Sequence, residues 1–542
     1  MLANELGRRG VTAIVVDQKA STAFNPQANA TQARTMEYFR RLGFADEIRA
    51  QGLPDDYPTD ITYFTRFTGH ELARVALPSA REATRLVHQG NGSWSAAEAP
   101  HRVSQKFVEA VLRRRAEAFP GISVRYGLRL TGFRQTVAGV EATVEPTHGG
   151  APCTIDAQYL VGADGPRSFV RRALGLAYEG EGSAERDFLG GKMLAMYLRA
   201  PGFYRACPHP PSWMYWAFNN QRRALMAAVD GQGEFAFHTQ LRPGETAESM
   251  SQADALDIFA QAMGRPLPVE ILSREAWIAG RTLVANGFQR GRVFLGGDAA
   301  HLFTPTGGMG YNTSIEDAVN LGWKLAAVIL GQAPPALLDS YEAERRPVAL
   351  RNTGFARRFA ESVGLYRPSP AIEDEGLAGE AARGRAGAYL GAHARAEFNI
   401  PGFTFGARYD ASPIIAGDGI PPPPDSPTAY VPTGAPGGRA PHVWLSDKVS
   451  LFDTFGSDWT LLRLGPNPPS PEPYAAAARG AGLNLRVVTC DDVEAYDLYE
   501  ADLALIRPDQ VVAWRRAGRA LRGPEEVFSR ITGRALLPDA TR

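Results

Sequence analysis

The sequence predicts a multidomain α/β fold, and three observations predict it. Helix and strand signals alternate through the first 180 residues, a β-rich aromatic stretch follows, and a Pro/Gly-dense passage then leads into a compact tail. The expected division is an α/β domain in two parts, 1–180 and 281–415, an inserted β-sheet domain at 181–280, and a C-terminal domain at 416–542.

The opening LANELGRRG reads as a short helix closed by Gly10, and VTAIVV as a strand ending in Asp17. That order is the second half of a dinucleotide-binding βαβ unit. There a carboxylate binds a ribose hydroxyl about 20 residues after a G-x-G-x-x-G loop. The loop and its strand would lie before Met1, so the natural protein is expected to begin roughly 20 residues upstream. In Ala33 to Gly52 the apolar Met36, Phe39 and Leu42 recur at helical spacing, and a second helix starts after Ser104, a plausible N-cap. ISVRYGLRLTGFRQT and VEATVEP read as one small antiparallel layer. From about Phe188 to Trp277 come KMLAMYLRA, SWMYWAFNN, RRALMAAVDG and GEFAFHTQL, aromatic strands whose sheet should turn one face toward something flat and apolar. The later helices include LGWKLAAVIL, the linker starts near Gly419, and DWTLLRL, LRVVTC and DLALIRPDQVVAW read as strands of the tail.

Composition narrows the function. Lys+Arg and Asp+Glu both number 58 in 542 residues, which argues against a nucleic-acid or anionic-membrane surface. Cys153, Cys207 and Cys490 are far apart, so neither a metal site nor a disulfide framework is expected, and a reducing cytoplasm suits them. No apolar run approaches the ~20 residues of a membrane span.

Chemistry concentrates in Gly291 to Leu325. A strand delivers Gly297 and Asp298, and a Thr/Pro/Gly loop follows in which Gly307, Gly308 and Gly310 precede a helix. Such glycines let backbone lie flat against a ligand, and free N–H groups at the helix start favour an anionic edge. Asp298 can accept hydrogen bonds from a polyol. A second turn, Gly162-Ala163-Asp164-Gly165, ends another strand and permits close approach to a pyrophosphate. His301 reads as a structural hydrogen-bonding histidine.

Together these segments resemble the class A flavin-dependent aromatic hydroxylases. The match rests on the DG turn, the Gly297-Asp298 pair, QARTME at Gln32 to Glu37, and SQKFVE at Ser104 to Glu109. The tail LYEADLALIRPDQVVAWR is similar to the thioredoxin-like domain of the phenol hydroxylase and 3-(3-hydroxyphenyl)propionate hydroxylase branch. The resemblance implies an FAD-binding Rossmann-like domain, an inserted β-rich substrate domain and a thioredoxin-like C-terminal domain. It also implies hydroxylation of a phenolic or polycyclic aromatic with NADH or NADPH and O2, through a flavin C4a-hydroperoxide.

Carried over by position, Asp17 would bind the adenosine ribose of FAD, Arg34 and Gln105 its pyrophosphate and ribityl region, and Asp298 a ribityl hydroxyl. Gly308, Gly310 and Asn312 would line the pyrimidine edge, Pro305 the reactive face, and Asp164 with Gly165 the nicotinamide passage. Trp213, Tyr215 and Phe237 are the expected pocket walls, and Arg281 could reach the active site. Asn29 stands where phenol hydroxylases carry an aspartate, so a carboxylate base there is in doubt. A tail without a Cys pair points to a structural or homodimer-forming role. Two alternatives remain: a flavin-deficient binding protein, and a halogenase or epoxidase of the same fold.

Overall fold

The computed structural model describes residues 1–90, 92–181, 189–517 and 523–537. Phe188, where the β-rich texture was expected to begin, lies outside the described residues. The opening helix is Leu2–Gly7 and the strand Ala13–Asp17, with Gly10 turning the chain between them at φ +74°. The strand pairs in parallel with Ile122–Tyr126, Asp17 opposite Tyr126. ISVRY therefore belongs to this parallel pair. The antiparallel layer is Leu128–Gln135, Val140–Pro146 and Cys153–Ala157. Gly127, at φ +72°, supplies the corner that separates the two sheets.

The large sheet has seven strands in the order Glu270–Ala279, Gly191–Arg199, Glu234–Gln240, Arg223–Ala228, Met214–Phe218, Ile61–Phe64, Glu71–Val75. It takes two strands from before residue 180, because the wholly buried ITYF pairs in parallel with Met214–Ala217. Alternation gives each face its own set. On one, Tyr215, Met226, Phe237 and Met196 stand in register. They pack on Phe203, 5.1 Å from Tyr215 between ring centroids, and on Phe259 of the helix Gln252–Met263, 5.6 Å from Phe237. The other face carries Trp216, Leu225, His238 and Ala195 and turns toward the first domain, where Lys106 Nζ donates to Tyr197 Oη at 2.7 Å.

In the C-terminal domain the strands Trp459–Leu464, Leu485–Cys490, Leu503–Ile506 and Val512–Arg515 lie in spatial order second, first, third, fourth. The first two are parallel and the rest antiparallel, with helices Glu472–Gly480, Val493–Tyr499 and Pro524–Ile531 between and after them. This is the thioredoxin-like topology. Its residues fasten deep into the first domain. Glu37, buried in the helix Ala33–Arg41, accepts from Arg34 at 2.9 Å and from Arg439 at 2.5 and 3.0 Å.

Burial alone would raise the Glu37 pKa, but Arg439 and Arg34 outweigh it and hold it at about 2, against an ordinary 4.5. A carboxylate depressed on folding adds stability above its unfolded pKa and loses it as pH falls through the folded one. The expected result is roughly 3 kcal/mol lost between about pH 4.5 and 2, an amount that Glu37→Gln no longer titrates. Urea unfolding across that range measures it.

Candidate functional site

The two glycine-flanked turns meet because their strands are neighbours. Leu160–Gly162 pairs in parallel with Val293–Leu295, Gly162 opposite Leu295, so Asp164 and Asp298 both follow strand carboxyl ends, where open parallel sheets bind ligands. Arg171, on the short helix Phe169–Ala173, joins them. Its Nη1 donates to the Ala299 carbonyl at 3.1 Å and its guanidinium stacks 3.6 Å over Tyr178, whose hydroxyl donates to the Asp298 carbonyl. Asp317 steadies the turn from below. One of its oxygens accepts from Gly297 N at 3.2 Å and from His301 Nε2 at 2.6 Å, the other from Arg345 Nε at 2.7 Å. His301 is fully buried in this bond, as the structural reading expects.

Asp298 itself is solvent-accessible although protein surrounds it closely, the condition of a side chain on a cleft wall, and burial raises its pKa. Gly308 caps the 21-residue helix Met309–Ile329 from a left-handed conformation, φ +62°. A Cβ there would stand 2.9 Å from that of Ala30. Gly310 lies inside the first helical turn rather than ahead of it. Among the described residues the N–H groups of Gly308, Met309 and Gly310 have no hydrogen-bond partner, whereas Gly307 N donates to Glu397 at 2.7 Å. An aligned helix start with free donors is a ready anion site.

Several expected contacts are used otherwise. Arg34 turns its guanidinium to Glu37, Gln510 Oε1 at 2.8 Å and the Asp509 carbonyl at 2.8 Å, so it braces the C-terminal domain instead of reaching a pyrophosphate. Asn312 is also committed. Its Oδ1 accepts from Gln32 N and Thr35 Oγ1, at 3.0 and 2.7 Å, and its Nδ2 donates to the Ala30 and Gly308 carbonyls, at 2.9 and 2.6 Å. It locks the glycine loop to the helix entry rather than presenting its amide to a ligand.

Tyr215 and Phe237 are not pocket walls either: they lie on the sheet face sealed by Phe203 and Phe259. Trp213 stays at the domain boundary, with Arg102 4.0 Å over its ring.

Asp17, at its strand end, accepts from Lys19 N at 2.8 Å. Gln105 opens the helix Gln105–Glu117 and donates to Glu109 at 2.7 Å, while the Ser104 hydroxyl makes no capping bond. Asp164 accepts from Val170 N at 3.0 Å, and Gly165 has φ +77°. Pro305 is exposed on the glycine loop, Asn29 is half-buried beside Ala30, and Arg281 is half-buried after the strand Glu270–Ala279. The residues the sequence reading missed are Asp317, Gln32 and Thr35, whose one signal is their place inside the quoted motifs, and His238, hidden in GEFAFHTQL.

Residues 1–356 match the family model for an FAD binding domain, and residues 433–535 that for the C-terminal domain of aromatic-ring hydroxylases. The chain belongs to the FAD-dependent aromatic-ring hydroxylases. The FAD-dependent monooxygenase apdD of Emericella nidulans is 31% identical to the hydroxylase, over 97% of this chain and 86% of the relative. Aklavinone 12-hydroxylase DnrF of Streptomyces peucetius is 33% identical, over 84% and 87% respectively. The structure of the rebeccamycin biosynthetic enzyme RebC with reduced flavin superposes with a TM-score of 0.86 at 32% identity, covering 98% of this chain and 96% of that one. The hydroxylase is thus an oxidoreductase with FAD as cofactor and NAD(P)H as co-substrate. The free donors at Gly308 to Gly310 and the solvent-accessible carboxylate of Asp298 fit that group.

Proposed function

We propose that the hydroxylase adds one oxygen atom from O2 to a phenolic or fused-ring aromatic, acting in the cytoplasm as a homodimer. The unpartnered N–H groups of Gly308, Met309 and Gly310 carry this reading, because they suit a ring edge that becomes anionic on reduction. When bound, FAD supplies hydride acceptance from NAD(P)H and activation of O2. The chain's residues then have separable tasks. Asp298 holds polyol hydroxyls, Asp17 a ribose, and Gln105 the ribityl region. Asp164 and Gly165 border the nicotinamide passage, and Pro305 faces the reacting centre. The aromatic sheet excludes water and orients the substrate ring. Asn29 and Arg281 are hydrogen-bonding candidates at the substrate, without a carboxylate base, since a phenol activates its own ring. Names among the relatives, a polyketide-type substrate in aklavinone 12-hydroxylase and phenol in phenol 2-monooxygenase, support the substrate class. Zero formal charge and the absence of a membrane-spanning helix among the described residues suit the compartment.

The test is a panel of phenols, naphthols and hydroxyanthraquinones, scored for NAD(P)H consumption and a product heavier by one oxygen. NAD(P)H consumption that yields hydrogen peroxide alone with every member would sink the reading. Asp298→Ala is expected to weaken FAD about tenfold, the worth of one charge-assisted hydrogen bond, in a flavin-fluorescence titration.

A further inference from the structure

The sheet face turned toward the first domain is sealed at both ends but not at its centre. At one end Phe107 and Leu272 pack on Tyr197 and Ala236. At the other, Tyr366 lies 5.7 Å from Phe218 between ring centroids and accepts from Arg223 through its carbonyl. Between them Ala195, Leu225 and His238 stand in register across three strands and remain half-buried. Trp277, on the neighbouring edge strand, meets His238 edge-on, at 6.0 Å and 90°.

His238 is the polar member of this row. Its Nδ1 is sealed from solvent without a hydrogen-bond partner among the described residues. Its Nε2 is not sealed and also has no partner there, so it opens on the gap. A histidine enclosed by protein with neither nitrogen bonded is costly unless something else supplies the bond. Burial lowers its pKa to about 4, so the ring is uncharged near neutrality. Charges of both signs border the gap, the exposed Glu275 opposite Ala195 and the cations Lys106 and Arg223 at its two ends, so the uncharged imidazole is the polar group at its centre.

We propose that His238 Nε2 hydrogen-bonds a hydroxyl or keto oxygen of the substrate, whose ring lies over Ala195 and Leu225 and against Trp277. This inference rests on the aromatic-hydroxylase reading and adds to it the class of substituent: a hydroxyl or keto oxygen that bonds an uncharged imidazole.

The experiment compares equilibrium binding of 1-naphthol and 1-methylnaphthalene to the FAD-loaded chain by tryptophan fluorescence. The ratio of the two affinities should fall about tenfold in His238→Leu, as loss of one enclosed hydrogen bond predicts. His238→Gln, which keeps a hydrogen-bonding side chain, should retain most of the ratio, and this separates the bond from a change in packing. An unchanged ratio in His238→Leu overturns the proposal. Binding is read without turnover, so failure of the hydroxylase reading shows separately, as NAD(P)H consumption without an oxygenated product beside a normal ratio.

Discussion

Replacing Gly308 by valine will strip the chain of FAD. The position has φ +62°, and a Cβ would lie 2.9 Å from the Ala30 Cβ and 3.3 Å from its carbonyl oxygen. A left-handed conformation costs a side chain about 1–2 kcal/mol, and overpacking against backbone adds about 1–3 more. The free chain can relieve this by shifting the loop at the expense of the Asn312 bond to the Gly308 carbonyl, since no bond within the chain needs the N–H groups of Gly308 and Met309 aimed outward. Binding must restore the strained arrangement, so the penalty falls on affinity. A loss of at least about a hundredfold follows, roughly 3 kcal/mol, measurable by flavin titration. Circular dichroism should be unaltered, because the helix Met309–Ile329 is fixed further along by Asp317, which accepts from Arg345 and His301.

The largest effect on stability is expected at Arg507, far from the cleft in sequence. It is fully buried, donates to both oxygens of Glu344 at 2.7 and 2.9 Å, and also binds Asp509. Glu344, on the helix Asp339–Leu365, further accepts from Lys324 and Asn320, each at 2.7 Å. Burial alone would raise the Glu344 pKa, yet Arg507 and Lys324 hold it far below the carboxylate range. Removing one member of such a cluster leaves a charge buried with too few partners, at about 3–5 kcal/mol. Arg507→Met should therefore lower the urea midpoint sharply. It should also release the C-terminal domain first, giving an early transition and cleavage within 419–441. A single unshifted transition would show that the cluster is dispensable.

What could be read from the sequence follows from how local each signal is. Asp298, Gly308 and the DG turn are legible because strand end, glycines and helix start lie within a few residues. The thioredoxin-like strands are legible for the same reason. Arg34 is not, because its partner Gln510 is remote in sequence and no local pattern marks an arginine that crosses to another domain. The pocket wall failed for a different reason. Both faces of Met214–Phe218 are buried, so alternation cannot say which looks toward the cleft; in Glu234–Gln240 the aromatic set Phe235 and Phe237 packs inward while the half-buried Glu234, His238 and Gln240 form the other face, one residue out of step with Phe237. Ile61–Phe64 joins a sheet whose other strands lie mostly beyond residue 190, a long-range pairing that composition does not announce.

If the Gly308 loop and Asp298 form an FAD cleft, as proposed, the visible spectrum of the purified chain after incubation with FAD and gel filtration will show it. The band of oxidised flavin should stand at close to one FAD per chain and be lost in Gly308→Val. A colourless wild-type chain, or a variant that keeps its colour, would contradict it.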